Sequence, residues 1–194
     1  MPAFANTSTL AAINTKELDE KRQYKISISP IENVAWEANQ RVYMDLGEFS
    51  ATTILRIQVF EKGDLISTAV IGAGGGGTGG HETSYIMEND RILTCCSDSI
   101  FCLSLPSLDL LWRTKADWAA CFGIYAFQSD YIIHGELEIS RLDEDGLVLW
   151  QRSGADIFTT LEGGVFELTE HYIVVEDWQN RLYKFDYSGN DVTN

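Results

Sequence analysis

The chain has 194 residues, of which 45% are hydrophobic and 22 are aromatic, and its formal net charge is −15. This length and composition suit one compact domain with a sizeable core, and they exclude a disordered chain. The acidic balance argues against nucleic acid as a direct ligand, because phosphate contacts need a basic surface. The sequence shows neither a secretory signal nor an apolar run of transmembrane length, so we expect a cytoplasmic protein without a membrane partner.

The first elements of the chain carry a weak pattern. Residues 1–22 lack the alternation of a strand, and apolar residues at loosely helical spacing behind a Ser-Thr cap predict a short helix or a mobile arm. Residues 23–194 are predicted to form a single domain. A strand is expected over 24–31, where Pro30 favours an edge position or a strand end, and another is expected around 41–44.

A glycine-rich run, GAGGGGTGG, covers residues 72–80. It satisfies the G-x-G-x-x-G pattern formally, but phosphate binding by that pattern needs a helix to follow, and residues 81–87 are predicted to form a strand. We therefore interpret the run as a flexible or bulged connection. Because glycine allows backbones to approach closely, we also hypothesise that the run contacts a partner.

The segment 131–150, YIIHGELEISRLDEDGLVLW, contains the unit from which most of the chain is built. Its apolar residues recur at a period near two, which predicts that they share a buried face. These residues are Leu137, Ile139, Leu142, Leu147 and Leu149. The intervening 143–146, Asp-Glu-Asp-Gly, has the composition of a tight turn. The segment is therefore predicted to form two or three short strands joined by a solvated acidic turn.

This unit recurs along the chain. Four-residue turns lie between the apolar pairs Phe60/Leu65, Leu105/Leu110, Leu142/Leu147 and Tyr187/Val192, at successive offsets of 45, 37 and 45 residues. A second set of positions opens a strand ahead of three of these hairpins, and it consists of Arg91-Ile92, Tyr131-Ile132 and Tyr172-Ile173. A period near forty with about four strands per unit is typical of propeller blades.

The units that contain Trp112 and Trp150 resemble the repeats of quinoprotein-like (PQQ-type) and WD40-like β-propellers, in which a strand, a Gly-containing turn and a strand ending in Trp recur. The resemblance covers about residues 40–194 in four degenerate copies. It implies an all-β fold of four consecutive blade-like antiparallel units, as a small closed propeller or as a half or open one. Closure of the ring would need 24–31 to supply the last strand. A quinone-dependent enzyme would need a larger propeller and an identifiable ligand set, so we predict no cofactor.

The cysteines are predicted to be structural. Cys95, Cys96, Cys102 and Cys121 match no zinc-binding spacing, and no histidine lies close in sequence. Cys95 and Cys96 are neighbours in a predicted strand, so their side chains should point to opposite faces. We interpret all four as buried free thiols in a reducing compartment.

The sequence contains no catalytic signature and no metal-binding spacing, but it offers candidate sites for a ligand or partner. His134 lies in a repeat strand with Glu136 and Glu138 at alternate positions, a set that suits a divalent metal or a general base. His81 and Glu82 end the glycine run and form a second candidate. For each histidine the competing interpretation is a hydrogen-bonded structural residue.

A third candidate is Glu176-Asp177-Trp178, where an exposed tryptophan beside carboxylates would anchor a cationic partner. Trp118 lies elsewhere in the repeat, and for both tryptophans core packing is the alternative. Trp112 and Trp150 end repeat strands and are predicted to anchor the blade cores.

The leading functional hypothesis is a non-enzymatic, cytoplasmic protein-interaction module. Residues 130–194 hold 14 acidic against four basic residues, which leaves −10 of the total charge in this part of the chain. The predicted partner is therefore a basic protein, and one version is an immunity or antitoxin-like protein that neutralises a cationic toxin. The alternatives are a small-ligand or metal-binding propeller, hydrolytic in one version, that uses His134, Glu136 and Glu138, and a structural subunit that dimerises through open blade edges.

Overall fold

The computed structural model describes residues 24–32, 39–44, 51–78, 81–159 and 164–193. Within these ranges every regular element is a β-strand, so the all-β class expected from the sequence is confirmed. The expectation for 1–22, a short helix or an arm, lies outside the described residues. This part of the chain also contains no helix of the length and apolar character needed to cross a bilayer.

The strands form four sheets in chain order. Sheet 1 contains β1 (Tyr24–Pro30), β2 (Arg41–Met44), β3 (Thr53–Glu61) and β4 (Asp64–Ala73), in the order β1-β3-β4-β2. Sheet 2 contains β5 (Tyr85–Met87), β6 (Arg91–Cys96), β7 (Ser99–Ser104) and β8 (Leu110–Lys115). Sheet 3 contains β9 (Cys121–Phe127), β10 (Asp130–Gly135), β11 (Glu138–Leu142) and β12 (Val148–Ser153). Sheet 4 contains β13 (Phe166–Leu168), β14 (Tyr172–Glu176) and β15 (Leu182–Asp186).

Sheet 1 departs from the simple antiparallel unit. Its hairpin β3–β4 closes through Lys62 and Gly63, whose φ angles of 52° and 96° give the two positive values that a tight two-residue hairpin turn requires. Its fourth strand, β2, comes from upstream in the chain and pairs with β4 in parallel. β1 pairs with β3 at the other edge and ends at Pro30. The segment expected as a closing strand therefore belongs to sheet 1.

Three apolar clusters lie between consecutive sheets. Ile57 and Ile71 of sheet 1 pack with Phe101 of sheet 2 in the first cluster. The second joins sheets 2 and 3, and the third joins sheets 3 and 4. Central strands such as β6 and β10 are therefore covered on both faces, which explains their continuous apolar runs.

The repeat is more regular in space than in the sequence. In sheets 2 and 3 a bulge places Leu103 and Leu142 at equivalent sites, with Phe185 in the corresponding bridge of sheet 4. These three residues are separated by 39 and 43 positions, whereas the turn-flanking residues Leu105, Leu142 and Tyr187 of the sequence pattern are separated by 37 and 45. The cause is the β7–β8 turn, which Ser104 N closes on Asp109 O, whereas the shorter β11–β12 turn closes between Asp143 N and Leu147 O.

The second predicted set of positions is also displaced by one residue in its middle copy. Ile92, Tyr131 and Ile173 pair with Leu103, Leu142 and Phe185 respectively. All three side chains pack toward the preceding sheet. The equivalent of Ile173 is thus Tyr131, not Ile132, because a shift of one residue moves a side chain to the opposite face of its strand.

The shared buried face predicted for segment 131–150 is not formed. Ile139 and Leu142 are fully buried but on opposite faces of sheet 3, in the third and the second cluster respectively. Leu147 and Leu149 are 65% and 47% exposed. β12 is an edge strand, where Val148 packs on the second cluster and Trp150 on the third. The cysteines meet their expectation: all four are buried and free, with Cys96 in the first cluster and Cys95 in the second.

Aromatic side chains join each sheet to the next. Trp112 of β8 donates its Nε1–H to Glu144 O at 3.1 Å, and Trp150 of β12 donates to Tyr187 O at 3.1 Å. We call the edge strands β2, β8 and β12 the outer strands of sheets 1, 2 and 3. Trp112 and Trp150 are the third residues of their outer strands, and the third residue of β2 is Tyr43, whose hydroxyl donates to Leu108 O at 3.1 Å. Each acceptor lies in the outer turn of the following sheet. The upstream strand β2 therefore supplies the contact that an antiparallel fourth strand supplies elsewhere.

Candidate partner-binding face

The loops that connect consecutive sheets and the hairpin turns beside them form a hydrogen-bonded belt. The connecting loops contribute residues 74–78, 116–120 and 155–158, and the hairpin turns contribute 97–98, 136–138 and 177–178. Backbone bonds link its members in order: Gly76 N donates to Ala119 O at 2.7 Å and Glu136 N to Ala120 O at 2.7 Å. The chain of bonds continues from Phe158 N to Glu136 O at 2.6 Å, and from Trp178 N to Ile157 O at 2.8 Å. The belt contains four of the eight candidate site residues, namely Glu136, Glu138, Asp177 and Trp178.

Asp117 fastens the belt between sheets 2 and 3. Its Oδ1 accepts from the backbone N–H of Ala119 and Ala120 at 2.6 and 3.1 Å, and its Oδ2 accepts from Leu137 and Glu138 at 2.9 and 2.7 Å. Desolvation outweighs these bonds and raises the pKa of the Asp117 carboxyl. The side chain is buried, so its role is to hold two loops together. The sequence showed an Ala-Asp pair here that matches 155–156, but the pattern alone assigned it no role.

His134 is a structural residue in a mostly apolar site. Its Nε2 lies 3.0 Å from Phe158 O, which makes it a donor and fixes the neutral tautomer. The ring stacks on Phe166 at 4.3 Å between centroids and meets the edge of Phe122. Burial lowers the pKa of His134 to about 4. The imidazole is therefore neutral at physiological pH, and its Nε2–H is committed to a carbonyl.

Glu136 and Glu138 lie beside His134 in sequence but not on one strand face. β10 ends at Gly135 with a register shift and β11 begins at Glu138, so the predicted alternation is interrupted by a turn. Glu138 accepts a bond from Ser153 Oγ at 3.0 Å, and desolvation raises its pKa. Across the described ranges, no three His, Cys, Asp or Glu side chains are grouped to bind a metal ion.

Asp177 is a buried anchor, whereas its neighbour Trp178 is exposed. Desolvation opposes the charge of Asp177, but bonds from Arg181 and the Tyr183 hydroxyl outweigh it and lower the pKa of the carboxyl. Those bonds measure 2.7 Å from Arg181 Nε and 2.9 Å from Tyr183 Oη. Trp178 is 43% exposed and Glu176 is partly exposed. Of this candidate triplet, Asp177 therefore shapes the turn, and Trp178 and Glu176 remain available to a partner.

His81 and Glu82 are exposed and precede β5. The His81 carbonyl accepts from Ser84 Oγ at 2.7 Å, and its Nδ1 bonds the Thr83 hydroxyl at 2.9 Å. This arrangement is a local turn. The second candidate site thus lies just before β5, an edge strand of sheet 2.

Residues 74–78 of the glycine run make hydrogen bonds to neighbouring loops, although Gly75 and Gly77 are exposed. Ser97 Oγ lies 2.6 Å from Gly74 O and 2.7 Å from Gly76 O and donates its one hydrogen to either carbonyl, and Thr52 Oγ1 donates to Gly75 O at 2.7 Å. Gly75 has a φ of 113°, and a Cβ there would collide with Ala119 O. The backbone thus approaches closely within the chain at Gly75, and contact of the run with a partner stays a prediction. No helix follows, and of the residues 81–87 predicted as a strand only Tyr85–Met87 form one.

Trp118 is the belt residue whose exposure the sequence did not settle. It is 70% exposed, and Lys115 Nζ lies 4.8 Å from its ring centroid. Trp118 and Trp178 both follow a buried aspartate of the belt, Asp117 and Asp177. Two large aromatic side chains therefore stand exposed on loops that are themselves fixed.

All four basic residues of 130–193 contact other groups of the same chain. Arg141 pairs with Asp130 at 2.5 Å, Arg181 pairs with Asp177 at 2.7 Å, and Arg152 donates to Gly189 O at 2.5 Å. Lys184 Nζ lies 5.2 Å from the Tyr172 ring centroid. The carboxylates of this half outnumber its cations, which gives it a net negative charge. Arg91 of sheet 2 also reaches its acidic turn, where Nη1 donates to Glu144 O at 3.1 Å.

Comparison with known proteins gives only remote structural likeness. No protein-family model and no curated protein sequence matches this chain. The chain is similar to the computationally designed Ika4 protein at 10% identity and a TM-score of 0.46, over 62% of this chain and 78% of that one. It is similar to the designed Ika8 protein (10% identity, TM-score 0.48, 73% of this chain, 46% of that one) and to the AfRom2 CNH domain (12%, 0.46, 72%, 46%). The chain thus spans less than half the length of these last two.

Proposed function

We propose that the chain is a non-enzymatic interaction module, built from four blade-like sheets of an open β-propeller, whose acidic half binds a basic protein. The observation that supports the functional part is that all four basic side chains of 130–193 already contact other groups of the same chain. Each is already held by a carboxylate, a carbonyl or an aromatic ring of the same chain. The excess of carboxylates is therefore left to attract a cationic partner from solution.

Two features support the blade interpretation. Tyr43, Trp112 and Trp150 occupy the same position of three consecutive outer strands, and each bonds the outer turn of the next sheet. Three apolar clusters fill the three spaces between neighbouring sheets. Repeated units that bury their faces only against their neighbours are the principle of propeller and repeat architectures.

The exposed tryptophans supply the apolar part of the recognition. Trp118 and Trp178 are exposed on the belt, and Trp178 follows Glu176 by two residues. One face of the Trp118 ring is already covered by Lys115. A tryptophan that presents its face beside carboxylates offers a lysine or arginine both a cation–π contact and an opposite charge. An inhibitor that captures a cationic toxin is one version of this function, since opposite charge speeds association.

The test is retention of a basic protein by the immobilised chain as ionic strength is raised. We expect capture at low salt and release at high salt, because screening removes the attraction between exposed charges. A Trp118→Ala/Trp178→Ala double variant should retain less of the basic protein at low salt than the natural chain does. Its unfolding temperature should be the same as that of the natural chain. Capture that persists at high salt, or no capture of any basic protein at low salt, would overturn the proposal.

A further inference from the structure

Sheet 4 exposes a face whose equivalents in sheets 2 and 3 are covered. Each sheet has an outgoing face, which packs on the next sheet in the chain. Three equivalent cross-strand pairs lie on it near the hairpin turn, Cys95–Ile100, His134–Ile139 and Glu176–Leu182. Ile100 and Ile139 are 0% exposed, but Leu182 is 49% exposed. The same position of the repeat is thus buried twice and open once.

The residues of the open face are suited to a surface that meets a partner. We call this set the terminal face, and its members are Glu167, Tyr172, Val174, Glu176, Leu182 and Lys184. Val174 takes the position that Leu93 and Ile132 hold in the covered faces. It lies diagonally across from Leu182, within reach of side chains on adjacent strands. The terminal face therefore has an apolar centre inside a charged frame.

The frame is acidic. Glu167 pairs across the sheet with Val174, and Glu176 pairs with Leu182, so a carboxylate flanks each apolar residue. The one cation of the set, Lys184, lies over the Tyr172 ring. An apolar centre with a polar rim is the common anatomy of a protein interface. Here two carboxylates, Glu167 and Glu176, outnumber the one cation, Lys184, which is the cross-strand neighbour of Val174.

We propose that the terminal face is the docking surface for the basic partner, which covers Val174 and Leu182 with apolar side chains and pairs Glu167 and Glu176 with lysine or arginine. The inference rests on the proposed function, and it adds the location of binding. A second copy of this chain fits the face less well, because two molecules of charge −15 repel each other and a copy would bring its own acidic surface.

The probe for this proposal is a synthetic ten-residue peptide of alternating lysine and valine, which presents one apolar and one cationic edge when extended. It is titrated into the isotope-labelled full chain, and the amide resonances that shift are mapped. We expect the shifts to concentrate on β14 and β15. A peptide of alternating glutamate and valine is the control for charge, and it should produce no shifts.

Two variants of matched exposure separate the terminal face from other exposed leucines. Leu182→Gln removes the apolar centre, and Leu149→Gln changes a residue that is 47% exposed on β12 instead. Peptide affinity should fall about tenfold in Leu182→Gln and stay unchanged in Leu149→Gln, because truncating a buried apolar anchor weakens binding strongly. Chemical denaturation of both variants checks that the fold is retained.

The outcomes distinguish the two proposals. Salt-sensitive binding with shifts on the belt and equal affinities of the two variants would overturn the terminal face but leave the basic partner in place. No binding of the lysine peptide and of any basic protein would overturn both. A concentration-dependent dimer in sedimentation, abolished by Leu182→Gln, would assign the face to a second copy and overturn this inference.

Discussion

Trp112 donates its indole N–H to the Glu144 carbonyl at 3.1 Å, and its ring lies directly over Gly146 of the same turn. Trp150 repeats both contacts in the next interface, with Tyr187 O at 3.1 Å and with Gly189. Gly146 and Gly189 have φ angles of 82° and 83°. Glycine is therefore required at this position of each turn for two reasons: the turn needs a positive φ, and the tryptophan ring occupies the space that a side chain would fill.

Gly146→Ala tests this joint. A Cβ at Gly146 would lie 2.5 Å from Trp112 Cδ2, whereas a Cβ at Gly63, which also has positive φ, meets nothing within 4 Å. We expect Gly63→Ala to lower the free energy of unfolding by about 1 kcal/mol and Gly146→Ala by about 3 kcal/mol, since overpacking adds to strain. Urea denaturation measures both. Equal losses would mean that the ring contact contributes nothing.

The glycine run offers a second pair of substitutions. Gly75→Ala introduces a Cβ against Ala119 O at positive φ, but a Cβ at Gly77 meets no atom within 4 Å. We expect about 3 kcal/mol of destabilisation for Gly75→Ala and less than about 1 kcal/mol for Gly77→Ala. Thermal unfolding of the two variants is the measurement. A stable Gly75→Ala chain would show that the packing of 74–78 is not needed for the fold.

His134 makes stability depend on pH. Its pKa is about 4 in the folded chain and about 6.5 when unfolded, so the unfolded state binds more protons between these values. Stability is therefore full above about pH 6.5 and falls toward pH 4, by about 3 kcal/mol from this group.

His134→Phe keeps an aromatic ring against Phe166 and removes the proton-binding site. The variant should lose about 1 kcal/mol at neutral pH with the hydrogen bond to Phe158 O, but it should lose less stability than the natural chain on acidification. His171→Gln, a change at an exposed histidine, is the control and should leave the profile as it is. Parallel pH profiles of His134→Phe and the natural chain would contradict the assignment.

Asp117→Asn tests the fastening of the belt. The amide nitrogen would replace one carboxylate oxygen and face two backbone N–H donors, so two buried donors lose their acceptor. We expect about 3 kcal/mol of destabilisation. Asp143→Asn, at a partly exposed turn, should cost about 1 kcal/mol or less. If the two variants unfold at the same denaturant concentration, Asp117 has no special role.

The sequence predicted what depends on neighbouring residues. Alternation and turn composition located the hairpins, because Lys62-Gly63 and Gly146 carry local backbone requirements that residue type reveals. The register around Tyr131 was misassigned because 131–133 are all apolar, and a strand covered on both faces shows no alternation. Leu147 and Leu149 were misassigned because only the sheet order shows that β12 is an edge.

Long-range contacts were beyond the sequence pattern. The parallel pairing of β2 with β4 joins segments whose residues give no sign of each other. Asp117 binds a turn some twenty residues away through backbone N–H groups, which every residue type except proline offers equally. His134 was a candidate because of adjacent carboxylates, but its partner is the distant Phe158 carbonyl.

We propose that a basic protein binds to the acidic half of the chain and is not attracted by the net charge alone. Two quadruple variants change the net charge equally and differ only in location. The first neutralises the exposed carboxylates Glu144, Asp145, Glu167 and Glu170. The second neutralises the exposed carboxylates Glu32, Asp64, Glu82 and Asp90.

The measurement is the amount of a basic protein that each immobilised variant retains at low ionic strength, relative to the natural chain. We expect the first variant to lose most of the retention and the second to keep most of it. Equal losses in the two variants would show that binding follows net charge alone and that the acidic half has no special part in it.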